Sequence, residues 1–166
     1  MSTKTMDLDI EAPIIPDVGL GGILLRDRII NAQDLVSDRW GGSARLTGFE
    51  LVSPFEAMYT FLRGAVTVHV DVRNGKIFMI SAGSGYRGLL FDRIHVGMKL
   101  RDAMMAEPRL YYDEGDGSIF CREIPGLSVD PSQDDPLPSS IPGLEIRSIN
   151  VYASETRSLS AQQGRW

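Results

Sequence analysis

The sequence is poor in the residues that reactive chemistry draws on. Cys121 is its one cysteine, so no intramolecular disulfide can form and no oxidising compartment is required. It sits in "SIFCREI", with no CxxC partner and no papain-like surroundings, and reads as a small buried residue. His69 and His95 are the only histidines, and neither has Cys, Asp or Glu nearby in metal-ligand spacing, so no metal site is expected. No serine fits a nucleophile elbow: Ser84 is flanked two residues away by Ala82 and Tyr86 rather than by glycines. His69 and Asp71 share one strand face, but no nucleophile accompanies them. An enzyme is not expected, nor is a cofactor.

Long apolar runs are also missing. None approaches the roughly 18 residues of a membrane-spanning helix. The opening "MSTKTMDLDIEAPIIP" lacks a basic start followed by an apolar run, so no secretory signal is expected and the cytoplasm is the default location. Positive charge is in the minority, 17 Lys and Arg against 22 Asp and Glu, a formal net charge of -5. That argues against a nucleic-acid backbone as partner, which needs clustered Lys and Arg.

What is present points to an α+β fold: a single domain built mainly on a bent or two-layer antiparallel β-sheet with two short α-helices. Residues 1–12 read as a flexible lead, 13–153 as the domain and 154–166 as a polar, mobile tail. "AVTVHVDV" (65–72) alternates with period two, Val66, Val68, Val70 and Val72 on one face. Asn74-Gly75 then favours a two-residue type I′ turn, and "IFMISA" (77–82) returns antiparallel. Further strands are expected at 22–25, 45–52, 89–96, 126–130 and 144–153. "RLYYD" and "SIFCREI" pair as a hairpin across "EGDG", with Asp116-Gly117 as its turn. Helices are expected over 26–36 and 98–106, the second ended by Glu107-Pro108. Residues 57–63 fit either a strand or a helix. Ile23, Leu25 and Ile29 have the spacing of Ile94, Val96 and Leu100, a faint internal echo that breaks where Arg26 stands in place of Gly97.

Two motifs tempt a ligand reading. Gly83-Ser84-Gly85-Tyr86-Arg87-Gly88 matches GxGxxG, but its preceding strand belongs to an antiparallel hairpin and no helix start follows, so a flexible surface turn is expected. "DEGDGS" (113–118) fails as a calcium loop, since the third position is Gly115 and the twelfth is Ile124. The proline-rich stretch 131–143 reads as a long irregular loop.

The charge distribution says more. Residues 107–135 hold eight acids against Arg109 and Arg122, a net -6, so the rest of the chain sums to +1. Asp113, Glu114, Asp116, Asp134 and Asp135 are the candidate contact residues for a basic protein, since complementary potential speeds encounter and fixes register.

"GYRGLLFDRIHVGMKLRDAM" followed by "LYYDEGDGSIFCREIPGLSVD" resembles a cassette of bacterial immunity proteins that neutralise polymorphic or contact-dependent toxins. The matching positions are Gly85, Tyr86, Gly88, Leu90, Phe91, Ile94, Gly97, Met98, Leu100, Asp102, Pro125, Gly126 and Val129, within residues 64–130. The resemblance implies a non-enzymatic protein that binds a cognate toxin domain and occludes its active site or substrate surface. A basic, nuclease-like toxin suits the acidic segment, with no direct nucleic-acid or membrane contact. The alternative is a ligand-binding or adaptor module using the 83–88 loop or the proline loop.

Overall fold

The computed structural model describes residues 8–32 and 46–166. Its frame is one eight-stranded antiparallel sheet and a separate two-stranded one. The small sheet is β1 (Gly19–Leu20) and β2 (Ile23–Leu24). The large one holds β3 (Leu46–Ser53), β4 (Glu56–Phe61), β5 (Val66–Asp71), β6 (Lys76–Ala82), β7 (Leu110–Asp113), β8 (Ser118–Cys121), β9 (Leu127–Pro131) and β10 (Ile146–Tyr152). Helix is scarce: α1 (Leu100–Ala106) and α2 (Leu159–Gln162), with short 3-10 turns. The expected antiparallel α+β character holds at that level.

The valine alternation does what period two dictates as far as Val70, whereas Val72, expected on the same buried face, falls in the loop beyond β5 and is exposed. Val66, Val68 and Val70 are buried on one face of β5, while Thr67 and His69 lie on the other. The core continues along that face through Ile77, Ile80, Ile119, Val129, Ile149 and Val151. β1–β2, the 90–94 turn and α1 cover it, with Leu20, Ile23, Leu90, Ile94 and Leu100 all buried.

The strand order is β3-β4-β5-β6-β10-β9-β8-β7. Two four-stranded meanders thus meet through their last strands. The pairing at the seam is symmetric: Ile80 faces Val151, Ala82 faces Ile149, and Ser81 faces Asn150 at the centre. A pseudo-two-fold axis runs through that central pair, and the covering layers obey it too. The Arg26 N–H donates to the Ile77 carbonyl at 2.8 Å, the Ile77 N–H to Asp27 at 2.8 Å and the Ile29 N–H to Gly75 at 2.9 Å. In the second half the Gly97 N–H donates to Ile146 at 2.8 Å, the Ile146 N–H to Met98 at 2.8 Å and the Leu100 N–H to Leu144 at 2.9 Å. The faint echo in the sequence is therefore a repeat of backbone structure. It holds even where the residues differ, for Arg26 adopts φ 70° and Gly97 φ 86°.

Four further local expectations are corrected. Residues 89–96 are not a strand: Leu90 and Ile94 bridge each other around Phe91 (φ 52°) and Asp92 (φ 60°), a reversal that apolar spacing alone does not distinguish from extended chain. The helix expected over 26–36 is a 3-10 turn at Ile29–Ala32, and 33–36 lie outside the described residues. The two-residue type I′ turn expected at Asn74-Gly75 does not form, and the Asp116-Gly117 turn is wider than two residues as well. Asp71 pairs with Lys76 and Asp113 with Ser118, leaving four-residue loops. Only the closing glycines, Gly75 (φ 71°) and Gly117 (φ 68°), are left-handed, and each N–H returns to the Asp71 or Asp113 carbonyl at 2.7 or 2.8 Å. An Asp at the loop entrance explains the choice: its carboxylate accepts loop N–H groups, Arg73 on Asp71, Gly115 and Asp116 on Asp113. Last, the Gly83–Gly88 loop is a surface turn only in part: Ser84, Gly85 and Arg87 are exposed, but Tyr86 and Gly88 are buried.

Both ends of the described chain make contacts. Leu8 and Ile10 pack on the core, and residues 1–7 are outside the described part. The segment read as a mobile tail folds back over β5 and β6. Trp166 Nε1 donates to Asp71 Oδ2 at 3.0 Å. Arg73 reaches the Gln162 carbonyl at 2.7 Å, and Lys76 Nζ lies over the Trp166 ring at 5.2 Å. No helix among the described residues is long and apolar enough to cross a membrane.

Candidate functional site

The face of the sheet opposite the core carries a polar trough on the pseudo-two-fold axis, with a volume of about 620 Å³. Its strand residues come in matched pairs, while Gly64, Gly83 and Ser84 close it on one side only. Thr67 faces Ser81 across β5–β6, as Ser128 faces Asn150 across β9–β10. His69 faces Met79, as Asp130 faces Ser148. Each half then has a bulge at an equivalent point, which turns out Phe78 in one half and Arg147 in the other. The backbone is symmetric, but the chemistry is not: an imidazole occupies one side of the axis where a carboxylate occupies the other.

Asp130 is the hub of its side. Its carboxylate accepts Ser118 Oγ, Ser148 Oγ and Asn150 Nδ2, each at 2.9 Å. Asn150 is only 6% exposed, and its Nδ2 also reaches Ser128 Oγ at 3.2 Å. Among the described residues no buried side-chain polar atom lacks a partner, as burial of polar groups demands. His69 is held from the side, its Nδ1 2.7 Å from Glu56 Oε1 and its ring 6.0 Å from that of Phe78.

His69 and Asp71 do not act together. Asp71 is 4% exposed, and its oxygens are taken by Arg73 Nε at 2.9 Å, Arg73 Nη2 at 2.8 Å and Trp166. Burial pushes this carboxyl up, but those hydrogen bonds and the guanidinium charge together hold it below the ordinary value. His95 is exposed, and its ring Nδ1 lies 2.9 Å from the neighbouring Val96 carbonyl. Cys121 is buried, and burial pushes its thiol up. Among the described residues no cluster of three His, Cys, Asp or Glu is placed to hold a metal.

The GxGxxG string is anchored within the chain, and its Gly83 and Ser84 also line the trough. The Arg87 and Gly88 N–H groups donate to the Ile10 carbonyl at 2.8 and 3.0 Å. A Cβ on Gly88 would collide with the Ala12 carbonyl oxygen. Tyr86 is buried, its hydroxyl accepting the Gly21 N–H at 2.8 Å and donating to Ala12 at 2.7 Å. Burial pushes its phenol up to about 12. The proline loop is anchored at Pro136 and Ile141, which are buried, and Tyr112 donates to the Pro136 carbonyl at 2.8 Å, while most of its other residues are exposed.

The five acidic candidates fall into two places. Asp113, Glu114 and Asp116 share the β7–β8 loop, where Asp113 is tied up as the loop's cap. Asp135 joins them, its Oδ1 2.7 Å from where a Cβ on Gly117 would stand. Burial raises the Tyr112 phenol, and the carboxylates of Asp135, Glu114 and Asp113 raise it further, so these acids form one field. Asp134 instead pairs with Arg147 at 2.7 Å on the rim of the trough, and Arg157 stands 3.9 Å from Asp116. Two cations from elsewhere in the chain thus offset part of the -6 segment. The trough residues Ser128, Asp130, Ser148 and Asn150 were not singled out from sequence. Their signal is the alternation in "LSVDP" and "RSINV", which marks a polar face but not what it pairs with.

Most of the apolar cassette residues belong to the scaffold. Tyr86, Leu90, Ile94, Leu100 and Val129 are buried, and Gly97 and Gly126 adopt left-handed φ of 86° and 75°. No family model and no curated protein matches the sequence. A solved structure with partial similarity is that of the uncharacterized protein yfeY from Escherichia coli. It is 13% identical over 63% of this chain and 78% of that one, with a TM-score of 0.45, a likeness too distant to carry an argument about function.

Proposed function

We propose that the chain is an immunity-type inhibitor, a cytoplasmic protein that binds a cognate bacterial toxin domain and occludes its active site or substrate surface. The observation that carries this reading is the gathering of the β7–β8 loop and Asp135 into one acidic field at one end of the sheet. Such a surface suits a toxin with a basic, nucleic-acid-binding cleft. The cassette resemblance supports the same reading through the scaffold that displays this surface.

The test is co-purification with, and rescue from, the toxin-domain protein encoded by the neighbouring gene. Glu114→Lys, Asp116→Lys and Asp135→Lys together are expected to weaken the complex at least tenfold at low salt. They leave the Asp113 loop cap intact. A complex indifferent to these reversals removes the acidic surface from the account. Failure to bind or neutralise the neighbouring protein removes the inhibitor reading itself.

A second reading, a ligand-binding or adaptor module, is favoured by the trough. A small molecule bound only by the native state would raise the unfolding temperature.

A further inference from the structure

The two halves of the trough offer a ligand different things, and on the Asp130 side the hydrogen-bond directions decide which. Ser118 and Ser148 have one hydroxyl hydrogen each, and both hydrogens are directed at the Asp130 carboxylate. Asn150 directs its two Nδ2 hydrogens at Asp130 and Ser128, which leaves it only the acceptor Oδ1. These groups therefore present lone pairs to the trough. The carboxylate itself has about four acceptor positions, and the three donors leave one open. This side is an acceptor surface with a negative charge at its base.

A phosphate or carboxylate would meet lone pairs and a like charge there. A neutral polyol would find several acceptors but no attraction. A group with several N–H donors and a positive charge satisfies both the directions and the sign. We propose that the Asp130 half of the trough binds a guanidinium or primary ammonium group. The nearest competitor is Arg147 on the rim, whose guanidinium is engaged by Asp134 at 2.7 Å on an exposed surface, so it does not fill the site. Across the axis His69 is fixed by Glu56, and Met79 supplies an apolar wall for an alkyl stem. The site is separate from the acidic loop and stands whether or not the chain is an inhibitor.

Titration of the ¹⁵N-labelled full chain with agmatine tests it, followed by amide spectra. Saturable shifts are expected at Ser81, Ser148 and Asn150, including the Asn150 side-chain amide. Asp130→Asn is expected to weaken binding at least tenfold. Ser81→Arg, which replaces no residue of the Asp130 network, is expected to block the same site and decides the matter if D130N does not fold. A parallel arm with N-acetyl-Gly-Arg-Gly-amide separates the sources. Equal shifts mean that a protein side chain can deliver the group, and shifts with agmatine alone mean a free amine. Shifts confined to residues 113–117 and 134–135, or titrations unchanged in both variants, would overturn the proposal.

Discussion

Arg26 holds a backbone angle that its own Cβ resists. A left-handed φ costs a non-glycine residue roughly 1–2 kcal/mol, and the equivalent position in the second half is Gly97. The side chain explains the exception. Its guanidinium donates to Asp17 and to both oxygens of Glu155, each at 2.6 Å, and so ties β1–β2 to the segment after β10. These pairs are about one-third exposed, and pairs of that kind contribute little singly. Arg26→Ala loses the pairs and keeps the strain, whereas Arg26→Gly loses the pairs and relieves it. Urea unfolding is expected to find the glycine variant more stable than the alanine variant by about 1 kcal/mol. Equal midpoints would mean that the angle is unstrained.

At the scale of elements, a buried carboxylate is one of the anchors that attach the last turn of the chain, beside the Arg73 and Lys76 contacts. Asp71 has its pKa held below the ordinary value. A depressed carboxyl contributes stability that is present above its unfolded pKa, about 3.9, and is lost as the pH falls through the lower folded value. Trp166→Phe keeps the ring and removes the donor to Asp71 Oδ2. It is expected to cost about 1.5 kcal/mol at pH 7, and the gap to the native sequence should narrow as the pH drops towards 2. A gap that stays constant in acid would detach the tryptophan from Asp71. This contact also marks the limit of what the sequence told. The β5–β6 hairpin was legible because four valines alternate. The 89–96 stretch misled because Leu89, Leu90 and Ile94 fit a strand as well as a turn. The docking of 154–166 and the trough were not legible, because both arise from pairings between residues far apart along the chain.

The whole molecule is held at its seam. β6 and β10 are central in the sheet, with Ile77, Ile80, Ala82, Ile149 and Val151 almost wholly buried. Neither meander has a complete core without the other. Native-state hydrogen exchange is expected to show the amides of Ile80, Ala82, Ile149 and Val151 opening only with global unfolding, at a common free energy in both halves. Two separate plateaus would show that the meanders unfold as independent units.

The seam has a consequence for what the protein can become. Two identical subunits meeting across a two-fold axis must place the same residue on both sides of it, because an isologous interface is self-complementary. Joining the two copies in one chain removes that constraint. His69 can then stand opposite Asp130, and Phe78 opposite Arg147. The axis keeps the geometry of a homodimer while its two flanks are free to diverge, so a polarised ligand can be bound in a single orientation.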